Sequence, residues 1–170
     1  MRKIVFVVAM LAAAALPMGF ARAGDPCTIR GTNGDDTLVG TSGRDVICGL
    51  GGMDSMDGRG GNDLLIGGGA PDVISGGPGA DTIRGGGGGD VIEGRPGGDD
   101  INGGLGRDTI YGGLGRDVLR GASGGDCLDG HDGSGGDVLN GGPGFDRYDA
   151  DPGDTVLSVD QSSFHCMEGP

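Results

Sequence analysis

Residues 103–120 read GGLGRDTIYGGLGRDVLR, which is two copies of one nine-residue unit. The same period extends in both directions, from Gly31 to Asp149. Twelve of the units have nine residues, and one, GHDGSGGDVLN at 130–140, has eleven. A fixed period indicates a repeat architecture, in which stacked units bury a core that no single unit could bury alone.

The sixth and eighth positions of the unit are restricted in residue type. With the longer unit counted from its end, the sixth position is always aspartate: Asp36, Asp45, Asp54, Asp63, Asp72, Asp81, Asp90, Asp99, Asp108, Asp117, Asp126, Asp137 and Asp146. The eighth position is always large and mostly aliphatic: Leu38, Ile47, Met56, Leu65, Ile74, Ile83, Ile92, Ile101, Ile110, Leu119, Leu128, Leu139 and Tyr148. A flexible glycine-rich linker would not keep this phase, and collagen requires glycine at every third residue.

Each unit therefore divides into a glycine-rich turn at positions one to five, the aspartate, and a three-residue extended segment. Because side chains alternate along a strand, position eight faces one way and positions seven and nine face the other. We predict an all-β solenoid with position eight in its core.

The aspartate at the end of each turn favours calcium binding. Ca²⁺ is coordinated by six to eight oxygen atoms, which carboxylates and backbone carbonyls both supply. Glycine lets a short turn direct several carbonyls toward one point. If two units form one coil, aspartates 18 residues apart stack at a spacing of about 4.8 Å and repel each other unless cations lie between them. The spacing lengthens to 20 before Asp137 and Asp146, which makes these two positions less regular.

The units resemble the nonapeptide repeats of RTX, or haemolysin-type, calcium-binding proteins. The resemblance covers residues 31–149 and implies a right-handed parallel β-roll, with two units in each coil and several Ca²⁺ ions between the turns. The expected fold is thus a β-roll of thirteen tandem repeats with short N-terminal and C-terminal caps. The thirteen aspartates are its predicted metal ligands, and folding is expected to depend on calcium. Position two departs from the family's glycine in several units, for example at Thr32 and Leu50.

The ends of the chain differ from the repeats. Residues 1–23 are expected to be a cleaved secretory signal peptide, because a basic start precedes an apolar run and the small-x-small sequence of residues 21–23. A membrane anchor is the alternative, although the run is at the short limit for crossing a bilayer. Residues 24–30 are the expected N-terminal cap, 31–149 the β-roll and 150–170 the C-terminal cap. The predicted location is outside the cell.

The chain is strongly acidic. Its formal net charge is −13, and it becomes −16 without residues 1–23, which hold three of the twelve basic residues and none of the acidic ones. Such an excess argues against nucleic acid and anionic membranes as partners and in favour of cations.

Four cysteines, an even number in an exported chain, favour two disulfides. Three connectivities are possible, and proximity in the sequence favours Cys27 with Cys48 and Cys127 with Cys166. A zinc site formed by Cys127, Cys166 and two histidines, His131 and His165, is an alternative. Its spacing matches no common zinc motif.

The sequence contains none of the familiar catalytic motifs. The sequence therefore predicts a structural or adhesive calcium-binding module rather than an enzyme, with an extracellular partner left unspecified. An enzyme fragment or accessory with an unrecognised activity is the alternative. An ice-binding surface is disfavoured, because charged residues such as Asp57 and Arg84 interrupt the outward-facing row at position nine.

Overall fold

The alternation of turns and short extended segments produces a parallel β-solenoid. The computed structural model describes residues 26–158, which contain fifteen strands and no helix. Successive strands lie on opposite sides of the solenoid, so that two units complete one coil and about seven coils are stacked. The strands are β1 (Ile29–Arg30), β2 (Thr37–Val39), β3 (Val46–Leu50), β4 (Ser55–Asp57), β5 (Leu64–Gly68), β6 (Val73–Ser75), β7 (Thr82–Gly87), β8 (Val91–Glu93), β9 (Asp100–Leu105), β10 (Thr109–Tyr111), β11 (Val118–Ser123), β12 (Cys127–Asp129), β13 (Val138–Asn140), β14 (Arg147–Asp149) and β15 (Thr155–Leu157).

The odd-numbered strands form an eight-stranded parallel sheet and the even-numbered strands a seven-stranded one. Most strands within each sheet pair with a register of 18 residues, as in Ile83↔Ile101 and Ile92↔Ile110. It becomes 20 across the eleven-residue unit, as in Leu119↔Leu139. The predicted all-β parallel solenoid is therefore confirmed. No helix within residues 26–158 is long and apolar enough to cross a membrane.

The core consists of the side chains at position eight, which point inward from both sheets. From Leu38 to Leu139 all twelve of them are at most 2% exposed, and Tyr148 packs against the end of the row. Burying one such aliphatic side chain contributes about 1.5–3 kcal/mol, so the core gains its stability by repetition. The prediction of a buried row at position eight is confirmed.

The sheets extend beyond the predicted repeats by one strand at each end. At the N-terminus, Ile29 pairs with Ile47 and belongs to the core. At the C-terminus, Val156 pairs with Leu139. The expected signal peptide and the last twelve residues, 159–170, lie outside the described residues.

The predicted disulfide between Cys27 and Cys48 is confirmed, and it ties the N-terminal segment to β3. Cys127 is also disulfide-bonded. Cys166, its predicted partner, lies outside the described residues, and that pairing stays a prediction.

Candidate metal centres

The fold brings the thirteen predicted site aspartates into two columns. Each aspartate directly precedes a strand, and its side chain is buried, with at most 7% of the residue exposed. The first column precedes the seven-stranded sheet and contains Asp36, Asp54, Asp72, Asp90, Asp108, Asp126 and Asp146. The second precedes the eight-stranded sheet and contains Asp45, Asp63, Asp81, Asp99, Asp117 and Asp137.

Oδ1 of every column aspartate after the first in its column accepts a hydrogen bond from the preceding coil. The backbone N–H of Asp72 donates to Oδ1 of Asp90 at 2.9 Å, and the N–H of Asp90 donates to Oδ1 of Asp108 at 2.9 Å. The same bond recurs along both columns, including the two steps of 20 residues. This ladder fixes the rotation of these eleven carboxyl groups and directs the second oxygen of each, Oδ2, toward its own turn.

Eleven of these Oδ2 atoms are buried without a hydrogen-bond partner among residues 26–158. They belong to Asp54, Asp63, Asp72, Asp81, Asp90, Asp99, Asp108, Asp117, Asp126, Asp137 and Asp146. Buried polar atoms are almost always paired, and a buried carboxylate oxygen without a donor is costly. A repeated set of such atoms therefore indicates a ligand that supplies positive charge.

A backbone carbonyl converges on the same point as the unpaired Oδ2. A Cβ atom at Gly67 would collide both with Oδ2 of Asp72 and with the carbonyl oxygen of Gly85 in the next coil. The same pair of oxygens surrounds the position-one glycine in six consecutive turns, at Gly49, Gly58, Gly67, Gly76, Gly85 and Gly94. Two oxygen acceptors facing one small space suit a hard cation such as Ca²⁺.

This crowding explains why position one is glycine in all thirteen units, a role that the sequence reasoning missed. At Gly67 the backbone angle φ is not in the left-handed region, so conformational freedom is not the reason. A side chain there would fill the space between Asp72 and the next coil. The invariance of position one was the signal in the sequence.

Burial penalises the charged carboxylate and thereby raises the pKa of ten column aspartates: Asp54, Asp63, Asp72, Asp81, Asp90, Asp99, Asp108, Asp117, Asp126 and Asp137. The pKa of Asp99 rises to about 7, and the charges of Asp117 and Asp81 add to the effect of burial. The pKa rises to about 6 for four others, Asp72, Asp108, Asp117 and Asp126. The ladder bond from a backbone N–H opposes the increase without cancelling it. A bound cation would lower these pKa values, because a nearby opposite charge favours the ionised carboxylate.

The first aspartate of each column differs from those that follow. Oδ2 of Asp36 accepts hydrogen bonds from the backbone N–H of Thr32 at 2.5 Å and from its hydroxyl at 2.9 Å. Oδ2 of Asp45 accepts the equivalent bonds from Thr41 at 2.7 and 2.9 Å. These two predicted ligands are thus already satisfied by protein donors.

A further aspartate, Asp154, extends the second column and was missed in the sequence. Its Oδ1 accepts the backbone N–H groups of Gly136 and Asp137 at 2.7 and 3.0 Å. Its Oδ2 accepts the N–H of Asp151 at 2.7 Å. The step from Asp137 is 17 residues, which breaks the period, although the Asp-Thr-Val-Leu sequence before and within β15 has the pattern of the other units.

The residues present fit calcium through mixed ligands rather than through side chains alone. In the described part of the chain, no three His, Cys, Asp or Glu side chains are grouped to hold a metal by themselves. A site at these turns must therefore combine a carboxylate with backbone carbonyls, both of which calcium accepts. The zinc alternative is disfavoured, because Cys127 is held in a disulfide and Nδ1 of His131 lies 3.1 Å from Oδ1 of Asp151.

Comparison with known families agrees with this geometry. The family model described as RTX calcium-binding nonapeptide repeat (4 copies) matches residues 30–65, 57–92, 66–99 and 93–128. These matches together cover residues 30–128, which are 99 of the 170 residues. No curated protein is similar enough to this chain to count as a match. The stacked aspartates, the parallel solenoid and the matched repeats show that the chain belongs to the RTX calcium-binding nonapeptide repeat family.

Proposed function

We propose that this protein is a secreted, non-enzymatic module whose β-roll is completed by several Ca²⁺ ions, and that it serves a structural or adhesive role. The observation that carries the proposal is the set of eleven buried Oδ2 atoms without a partner among residues 26–158. Of the thirteen column aspartates predicted as ligands, the eleven that own these atoms are the proposed ligand set, together with carbonyls of the glycine-rich turns.

Carboxylate burial, repulsion between carboxylates and backbone entropy all oppose folding when calcium is absent. Each turn buries a carboxylate, and neighbouring carboxylates in a column repel each other. The chain offers only one core side chain per unit against the backbone entropy of its 44 glycines. Metal binding would supply the missing free energy, and because the sites exist only between stacked coils it should do so cooperatively.

The direct test is a calcium titration of the metal-free protein, followed by far-UV circular dichroism and hydrodynamic radius. We expect a disordered spectrum in chelator and a sharp, cooperative gain of β-sheet at millimolar calcium. Magnesium should do much less, because it requires a tighter octahedral arrangement of ligands. A protein that stays compact and rich in β-sheet in excess chelator at neutral pH would contradict the proposal.

A matched pair of variants tests the site itself. Asp90→Ala removes an unpaired Oδ2 and also leaves the N–H of Asp72 without its acceptor. We expect this variant to bind one or two ions fewer than the wild type in equilibrium dialysis. Asp100→Ala is the control, because the Asp100 side chain is 55% exposed and pairs with Arg120 on the outer face. Equal losses in both variants would argue against the columns as ligands.

The proposed export and domain boundaries have a separate test. N-terminal sequencing of the protein recovered from the culture medium of its source should find Gly24 as the first residue. A protein retained in the cell with an intact N-terminus would contradict secretion without affecting the calcium proposal. Limited proteolysis with calcium present should spare residues 31–149.

A further inference from the structure

The turns of the solenoid adopt two different conformations at position two. In ten units φ is positive at this position, at Leu50, Arg59, Gly68, Gly77, Gly86, Arg95, Gly104, Gly113, Ala122 and Gly142. In the first two units the residue is threonine, and neither Thr32 nor Thr41 has a positive φ. A positive φ is a severe outlier for a β-branched residue, so threonine resists the conformation that the other side chains tolerate.

The backbone conformation at position two correlates with whether Oδ2 of the aspartate in the same turn has a hydrogen-bond partner. In all ten units with positive φ, Oδ2 of the aspartate is buried and, within the described residues, has no hydrogen-bond partner. In both threonine units the backbone N–H and the hydroxyl of the threonine donate to this oxygen. In the eleven-residue unit, His131, the second residue from its start, has no positive φ, yet Oδ2 of Asp137 has no hydrogen-bond partner among residues 26–158, so this unit follows neither pattern.

The backbone carbonyl that converges on Oδ2 in the other turns is also present in the threonine turns. The carbonyl oxygen of Gly49 approaches the position-one glycine of the first unit, Gly31, together with Oδ2 of Asp36. Gly58 and Asp45 stand in the same relation to Gly40. Position two is therefore what distinguishes these turns from the others. Two donors directed at Oδ2 occupy the oxygen and place positive hydrogen atoms where a cation would lie.

We propose that Thr32 and Thr41 close the first two turns to calcium, so that position two determines which turns of the roll take an ion. This inference rests on the proposed function. The threonines replace the ion with two hydrogen bonds and allow the roll to begin without metal, next to the disulfide between Cys27 and Cys48. At the other end, Asp154 is likewise satisfied by backbone N–H groups rather than left unpaired.

The test counts bound calcium ions in variants that exchange the two kinds of turn. The double variant Thr32→Gly and Thr41→Gly permits the left-handed conformation and removes both hydroxyls. Equilibrium dialysis at saturating calcium should find two more ions per chain than in the wild type. The control Thr37→Gly, in the same first unit but at position seven, should leave the count unchanged.

The reverse exchange keeps the test informative if the double variant fails to fold. Leu50→Thr places a β-branched residue at a position where φ is 81° and should close the turn of Asp54. We expect one ion fewer, with β-sheet circular dichroism retained. An unchanged count in folded Leu50→Thr, or in the folded double variant, would overturn the role of the threonines while calcium binding by the wild type stood. A wild type that bound no calcium would instead remove the proposed function.

Discussion

Lowering the pH of the metal-free protein should restore part of the fold that calcium otherwise completes. The perturbation is a change from pH 7 to pH 5 after calcium has been removed. The relevant groups are five buried aspartates whose pKa is raised by burial: Asp99 to about 7, and Asp72, Asp108, Asp117 and Asp126 to about 6.

The sign of the effect follows from proton linkage. A carboxyl group whose pKa in the fold is above its ordinary value of 3.8 binds its proton more tightly there, so protonation stabilises the fold. This stability is complete below pH 3.8, declines as the pH rises above that value, and is fully lost above pH 6 to 7, where the folded groups are ionised as well. Each ionised group with a pKa of about 6 then costs about 3 kcal/mol. Two or three such groups are enough to unfold a domain whose net stability is about 5–15 kcal/mol.

Between pH 7 and pH 5 the recovery is on the order of 1 kcal/mol for each of the four aspartates and about 2 kcal/mol for Asp99. Together these amount to roughly 6 kcal/mol, enough to shift the folding equilibrium visibly. Metal-free protein should therefore gain β-sheet at pH 5. The pH should stay above the isoelectric point of about 4.2, where loss of net charge promotes aggregation.

The assay is far-UV circular dichroism on protein freed of calcium by a chelating resin, with residual calcium measured, because soluble chelators weaken in acid. High sodium chloride at pH 7 is the control. Salt screens repulsion between carboxylates but leaves the burial of each charge unrelieved, and burial is the main cause of the raised pKa values. A spectrum that is restored by salt, or one that remains disordered at pH 5, would refute this reasoning.

Three further predictions concern the free energy of unfolding, measured by urea denaturation in saturating calcium. Gly67→Ala places a Cβ against the Asp72 carboxylate and the next coil and should cost about 1–3 kcal/mol, whereas Gly69→Ala, which meets nothing within 4 Å, should be nearly neutral. Ile101→Ala, at a fully buried core position, should cost about 2–5 kcal/mol. Ala122→Gly should instead stabilise the protein by about 1 kcal/mol, because it relieves a positive φ of 76°.

The sequence predicted those parts of the fold that depend on positions carrying the same type of residue in every unit. Asp at position six and a large apolar residue at position eight gave the solenoid, its core and its two columns, because a period of two units per coil places equivalent residues in register. It did not predict Asp154, since a unit shortened by one residue breaks the period on which the argument depended.

The difference between the two kinds of turn also required the structure. Thr32 and Leu50 both appear in the sequence as departures from glycine, yet only the backbone angle shows that they act in opposite ways. The role of position one was similarly hidden, because the atoms that exclude a side chain at Gly67 come from a turn 18 residues away. Contacts between coils depend on exact stacking, which residue types alone do not specify.

The eleven-residue unit shows where this solenoid tolerates a change of length. Its two additional residues lie in the turn before Asp137, and the strands on either side remain paired, with Leu119 opposite Leu139 and Leu128 opposite Tyr148. One additional residue inside a strand would instead turn the core side chains outward. The exposed residues 133–135 of this turn are therefore a natural site at which a foreign peptide could be inserted and displayed, on a solenoid whose length is set by the number of coils.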